Sequence, residues 1–530
     1  MADRGKSAAF SALVLTAGIV AVVVAGTVLA VKQFGLPTAF SRLSSRPAPE
    51  MPRAPAEDLP ISRGPDKTID VARMVELRQW LAERRFEALN ETLDRYQQAF
   101  MADYTREFAL IDAYQSFSAP LPEDEARLES WISASPGHYQ PYLAAAFYYY
   151  ARGWESRGFK WRKDTTDEQI NGMRLNFSKA EEKAAAALKI DPDLMPAYDL
   201  LIGIQNSNGN DPAEKETIQT ALAKFPHSYV LWSRALWASE PRWGGSYAQM
   251  GRLAGAAEPN AREYPVLTAL HGAAFYDLAR CYKSDKSYTK ALAAINKAIS
   301  FGDRGYYYAL RAEIYAFGMK DYDRAGADAD LAVSLRPTES GNYLSRAKIS
   351  FAREAYEEAL SDLKTIDAIQ PEDPSTLQWR QWAARNLAGR GNKRFKADLE
   401  GALKWYALSL SFDKSDPKTH YWRGVANYRL GRYTAAAAEL KTCIQLDPHD
   451  FEAYRMLDYT LARDRRWDEI LHFWDAFLEL EPDHAAAYFE RSGTHYHRHN
   501  LRQAKADLQK ACDLGFQKAC RQHAKVKDQL

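Results

Sequence analysis

His495 and His499 stand four residues apart in the run His495-Tyr496-His497-Arg498-His499, a spacing that puts two imidazoles on one helix face, where they could chelate a metal ion. A closed site needs two further ligands, and no carboxylate or thiol stands at an obvious spacing. The run therefore reads as a solvated helix end near Asn500, and no metal or other cofactor is expected. Gly244-Gly245-Ser246-Tyr247-Ala248 offers a serine after two glycines, but the glycine that should follow it is missing and no strand precedes it. That departs from a nucleophile elbow, and a packed turn that lays Trp243 over adjacent helices is expected instead. Arg152, Trp154, Arg157, Lys160, Trp161, Arg242 and Trp243 could form a recognition patch through cation–π contacts, or serve as core aromatics and surface charges. The glycine patterns of phosphate-binding and dinucleotide-binding loops are absent. The chain is expected not to be an enzyme.

What would position these residues is a repeat. Pro192 and Pro226, Pro337 and Pro371, and Pro448 and Pro482 are each 34 residues apart, each proline following an amphipathic run. Phe301-Gly302-Asp303 closes the same pattern ahead of Pro337 with a glycine stop. A period of this length is that of a stacked helix–turn–helix unit, because one helix pair cannot bury its own apolar stripe and leans on its neighbours. In the unit that starts at Pro417, Gly424 and Ala436 supply the small residues needed where two helices cross, and Leu440 and Cys443 complete the second helix. Between the helices, Leu430-Gly431-Arg432-Tyr433 offers a glycine to end the first and a tyrosine to pack over the turn. Pro371 and Pro417 are 46 residues apart, so about 12 residues are inserted around Arg390-Gly391-Asn392-Lys393, as a longer turn or an extended helix.

These spacings resemble the tetratricopeptide repeat (TPR) family from roughly Gly272 to Asp513, with scattered units before. The resemblance implies an all-α helix-turn-helix solenoid that acts as a scaffold for protein or peptide partners. In that family the first helix of each unit lines the concave face. Carried over, the ligand-facing positions hold Tyr421, Tyr428 and Arg429, then Arg455, Tyr459 and Arg463, then Phe489, Tyr496 and His497. A short peptide with carboxylates and an apolar anchor would complement such a surface, which could equally be the mixed exterior of an average solenoid. The family's carboxylate-clamp pattern is not reproduced. His138-Tyr139-Gln140-Pro141-Tyr142, Ala151-Arg152-Gly153-Trp154 and Pro241-Arg242-Trp243-Gly244-Gly245-Ser246 together resemble a bacterial domain of unknown function often fused to such repeats.

Of the four cysteines, Cys281 and Cys443 fall at apolar helix positions and read as small buried hydrophobes. Cys512 and Cys520 flank a glycine turn, across which a second helix can fold back and bring the sulfurs together. Their spacing resembles Sel1-like repeats, which implies a disulfide stapling the two helices, with two packed thiols as the alternative.

A net charge of +1 favours neither nucleic acid nor an anionic surface as partner. Ala8 to Val31 is 24 residues without a charge, enough to cross a bilayer. It predicts a signal anchor, with a cleaved signal peptide ending near Val28-Leu29-Ala30 as the alternative. The expected protein is thus single-pass in a bacterial inner membrane, with residues 35–530 in the periplasm. Pro37, Pro47, Pro49, Pro52, Pro55, Pro60 and Pro65 read as a semi-extended tether. The expected organisation is 1–34 tail and anchor, 35–66 linker, 67–251 irregular helical domain, 252–513 solenoid and 514–530 capping helix. The alternative function is a saccharide or cell-wall binder, or an uncharacterised enzyme, with its site in the aromatic region 139–247.

Overall fold

The computed structural model describes residues 58–119, 121–158, 164–209 and 211–527, and among these no strand occurs. Contacts divide the chain into two compact units, one ending at Pro374 and one beginning at Ser375. In the first unit the helices are α1 (Val71–Ala82), α2 (Phe86–Ala102), α3 (Glu107–Gln115), α4 (Pro122–Ala134), α5 (Tyr139–Arg157), α6 (Asp167–Ile190), α7 (Met195–Asn208) and α8 (Asp211–Lys224). They continue as α9 (Tyr229–Ala238), α10 (Tyr247–Ala261), α11 (Ala273–Ser284), α12 (Tyr288–Ile299), α13 (Gly305–Glu313), α14 (Tyr322–Leu335), α15 (Ser340–Ala352) and α16 (Tyr356–Ile369). The second unit contains α17 (Pro374–Arg394), α18 (Leu399–Phe412), α19 (Pro417–Arg429), α20 (Tyr433–Leu446), α21 (Phe451–Ala462), α22 (Trp467–Leu480), α23 (Ala485–His497), α24 (Leu501–Asp513) and α25 (Gln517–Lys527).

Polar side chains fix where many helices start. Thr166 and Gln169 form a reciprocal capping box at α6, and Ser228, Asp321, Asp398, Asp450 and Asn500 each accept a backbone N–H of the first turn. The turn inside each helix pair uses one left-handed residue. Lys286, Lys320 and Glu354 have positive φ at 34-residue intervals, and so do Gly431, Arg465 and His499. The residue after each donates back across the turn, as Arg432 N–H does to Asn427 O and Arg466 N–H to Leu461 O, tying off the first helix. Where the helices cross, a Cβ on Gly424 would meet Leu440 Cγ at 2.8 Å, and Ala436, Leu440 and Cys443 are fully buried. The insertion expected near Arg390 appears as an extended helix, the 21-residue α17.

An ion pair joins first helix to second in several repeats. Arg346 to Asp362, Arg423 to Glu439 and Arg491 to Asp507 each span 16 residues. Arg311 to Asp328 spans 17, and the extra residue is absorbed by a π-helical turn, Ile314–Met319, that continues α13. In the repeat from Phe451 the matching positions are apolar, Leu457 and Phe473, and Trp474 Nε1–H instead donates to Asp458 one residue along, at 2.8 Å.

The N-terminal part of the first unit follows the loops that join one repeat to the next. Gln97 on α2 donates to Asp193 O at 2.6 Å, and Glu107 accepts from Ser228 Oγ and from the N–H groups of Tyr229 and Val230. Asp58 pairs with Arg262, and Pro60 O accepts from Thr268 Oγ1 at 2.7 Å. Ser62 O accepts from Asp303 N–H at 3.2 Å, and Asp66 N–H donates to Leu335 O at 3.0 Å. Asp112 accepts from Arg336 and Thr338, and Arg78 donates to Ala368 O and Ile369 O at the end of α16. Residues 58–66 are therefore docked along the repeats, where a tether was expected, because their backbone and carboxylates find partners at successive loops.

The expectation of a single-pass membrane protein is corrected: no helix among the described residues is long and apolar enough to cross a membrane. The two longest, α6 and α17, have the length but carry charges throughout. The apolar run 8–31, on which the expectation rested, lies outside the described residues, as does most of the proline-rich segment.

Candidate functional site

In the first unit, α1, α3 and α5 cover the starts of α7, α9 and α15. They leave a chamber of about 460 Å³ walled by Phe147, Tyr150, Trp154, Asp199, Arg234 and Glu339. A second chamber of about 320 Å³ shares Gln115, Asp199, Arg234 and Glu339 with it and adds Phe108, Tyr229, Arg304 and Arg336. The arginines here face acids of the chain itself. Arg234 holds Asp199 through two bonds of 2.7 and 2.9 Å, Arg304 holds Asp66, and Arg336 holds Asp112. Burial pushes the Glu107 carboxyl up to about 7 against its bonds from Ser228 and Val230, and the Asp112 carboxyl up to about 6 against the pull of Arg336.

The cation and indole patch expected from sequence is divided between elements. Arg152 pairs with Glu155 on α5, and Trp154 packs edge-on against Tyr150 and Phe177 with Arg157 over its ring at 5.7 Å. Arg242 pairs with Glu240 and covers Trp243, which packs on Trp237 at 5.0 Å. Lys160 and Trp161 lie outside the described residues. Ser246 caps α10 by accepting from Gln249 N–H, and a Cβ on Gly245 would run into the backbone of Ser239, so these glycines serve a turn. The indoles are engaged by their own neighbours, and nothing here supports a saccharide or catalytic site in 139–247.

In the second unit the nine residues expected to face a ligand lie in two groups on α19, α21 and α23, with Arg463 just past the end of α21. Toward the helix ends, Arg463 donates to Tyr428 Oη at 3.1 Å and lies over the Tyr428 and Tyr433 rings, and His497 stacks on Trp467 at 5.0 Å. Arg429 rests over Phe395 at 4.7 Å. In mid-helix, Tyr421 is half-buried, Arg455 pairs with Glu452 and keeps a buried, unbonded Nε, and Tyr459 is 42% exposed. Phe489 packs on Phe516 at 5.1 Å beneath Lys518, while Tyr496 is 47% exposed. Burial raises the half-buried Glu490 carboxyl beside Arg455 and Lys518. Sequence reasoning missed Trp422, 38% exposed next to Tyr421, and Glu490, whose neighbours Arg455 and Lys518 come from other helices.

Cys512 and Cys520 are joined as a disulfide between α24 and α25. Cys281 and Cys443 are buried free thiols, which burial pushes up to about 12. His499 takes a left-handed turn conformation, while His495 faces Asp507 at 3.8 Å. Among the described residues no group of three or more His, Cys, Asp or Glu is arranged to hold a metal ion.

The repeat geometry finds its counterpart in known families. A tetratricopeptide repeat profile matches residues 417–450, the α19–α20 pair, and a domain of unknown function, DUF4034, matches residues 73–206. The two matches support tetratricopeptide repeats and a domain of unknown function within this chain. The DUF4034 match ends before the Pro241–Ser246 turn that formed part of the sequence resemblance. A curated relative, the TPR repeat-containing protein MJ1428 of Methanocaldococcus jannaschii, is 22% identical over 220 residues. The match takes in 38% of this chain and 37% of that protein, so the chain spans little more than a third of its relative. Among solved structures, YrrB, described as a TPR protein with an unusual peptide-binding site, is 21% identical, covering 44% of this chain and 97% of its own with a TM-score of 0.21. MamA of Desulfovibrio magneticus RS-1 is 22% identical, covering 28% of this chain and 94% of its own with a TM-score of 0.24. The TPR match itself supports a protein-interaction scaffold.

Proposed function

We propose that this protein binds a partner's peptide segment across the first helices of its second unit, α19, α21 and α23. The observation that carries this reading is the run of exposed aromatic residues on successive first helices, Trp422, Tyr459 and Tyr496, with Arg429, Arg455 and Arg463 beside them. Exposed aromatics flanked by cations suit an apolar anchor with neighbouring carboxylates, the anchor buried against the rings and the carboxylates bonded by guanidinium groups. The first helices of the first unit are less available, since α1, α3 and α5 lie over the starts of α7, α9 and α15. Exchanging Arg455→Glu together with Arg463→Glu in the full chain tests the reading. Crosslinked partner should be lost while circular dichroism keeps its helical signal. Undiminished capture would overturn the assignment, and a collapse of helicity would show the two arginines to be structural.

A further inference from the structure

Residues 58–67 meet the first unit as a ligand meets a receptor. The segment has no helix of its own, and its bonds go to the inter-repeat loops in chain order: Asp58 to Arg262, Pro60 to Thr268, Ser62 and Arg63 to Asp303, and Asp66 to Arg304 and Leu335. Between Ser62 and Asp66 the chain bends at Gly64, φ 106°, and passes from the loop at Asp303 to the loop at Leu335, so about four residues span one repeat. Two of the anchors are backbone-to-backbone and do not depend on side-chain identity. The carboxylate of Asp66 supplies the specific contact, with its side chain 10% exposed against Arg304 at 4% and Arg336 at 9%.

Two features separate this track from ordinary core packing. The first is that the receptor arginines have further contacts within the first unit. Arg304 also lies over the Phe108 and Tyr229 rings at 5.3 and 4.7 Å, and Arg336 keeps Asp112, while Asp66 is the carboxylate that Arg304 bonds. The second is that Arg336 is particular to its loop. Arg336 is the first residue after α14, and the same position after α18, α20 and α22 holds Asp413, Asp447 and Glu481, which would repel an aspartate.

We infer that the inter-repeat edge of the first unit is a binding track for a helix-free segment that presents an aspartate to Arg304 and Arg336, filled in cis by residues 58–67 and open to the same chemistry in trans. The inference is independent of the proposed peptide face on α19, α21 and α23. The test uses the full chain and a fluorescent peptide of residues 56–69. Asp66→Lys should release the segment in cis, so the peptide should bind that variant about tenfold or more tightly than it binds the wild-type chain. Arg304→Ala in the same background should abolish the gain. A variant that keeps its near-ultraviolet circular dichroism and releases residues 58–67 to hydrogen exchange, yet does not bind the peptide, would overturn the inference. Hydrogen exchange of the wild-type chain gives a second reading that does not depend on how the variant folds. The amides of Asp66 and Asp303 should exchange by local opening, about tenfold or more faster than the α14 core. Exchange of these amides only on global unfolding would equally overturn it.

Discussion

Arg336 holds Asp112 across 224 residues of sequence, both side chains almost wholly buried, and so fastens α3 to the loop between α14 and α15. Thr338 donates to the other carboxylate oxygen at 2.7 Å. The N-terminal helices thereby become part of the repeat stack, and the irregular helical domain and the first repeats form one unit. Asp112→Ala should remove the fastening and strand part of a buried guanidinium charge, at a cost of about 3 kcal/mol. Denaturant unfolding of the full chain, followed by far-ultraviolet circular dichroism, measures it. A change under about 0.5 kcal/mol would mean that Asp66 alone satisfies Arg336.

The left-handed turn residues make a prediction of opposite signs. Gly431 is the glycine of the series, and Arg465 holds the equivalent turn with φ of 54°. A side chain is strained in that conformation, so Arg465→Gly should stabilise the second unit by up to about 1 kcal/mol and Gly431→Ala should destabilise it by about 1 kcal/mol. Thermal unfolding of the two variants should shift in opposite directions.

Ala436 faces the crossing of α19 and α20 with no exposed surface, and a Cβ on Gly424 opposite would stand 3.4 Å from its carbonyl oxygen. Ala436→Trp should cost about 3 kcal/mol or more by forcing the pair apart. An unchanged melting temperature would refute the register assigned to this repeat.

Asp458 sets a pH dependence. Burial, with Glu490 adding to it, lifts its carboxyl to about 6 from an ordinary 3.8, against the bond from Trp474. The folded state therefore keeps a proton that the unfolded chain has released. The resulting stabilisation is complete below about pH 4 and is lost as pH rises through about 6, at most about 3 kcal/mol. Asp458→Asn retains an acceptor for Trp474 and should flatten this part of the stability profile between pH 4 and 7. An unaltered profile would place the titration elsewhere.

The repeat was legible because its marks are local. Prolines at 34-residue spacing, Gly431 in its turn and Gly424 at its crossing each act within one helix pair, and the structure puts them there. The docking of residues 58–66 was not legible, since its partners lie more than 200 residues away and its prolines carry the same composition as a free linker. The π-turn at Ile314–Met319 left a trace in the 17-residue step from Arg311 to Asp328, which only a comparison of ion-pair spacings reveals. For the peptide face, the positions could be carried over by register, but the engagement of Phe489 by Phe516 and of His497 by Trp467 depends on neighbouring helices. The patch around Trp154 and Trp243 looked like one surface because its residue types match, although its parts stand on α5 and before α10.

Hydrogen–deuterium exchange of the full chain, with and without its crosslink-captured partner, tests the central claim most directly. Protection should fall on α19, α21 and α23, around Trp422, Tyr459 and Tyr496, and leave the second helices α20, α22 and α24 unchanged. Protection confined to residues 139–247, or to those second helices, would contradict it.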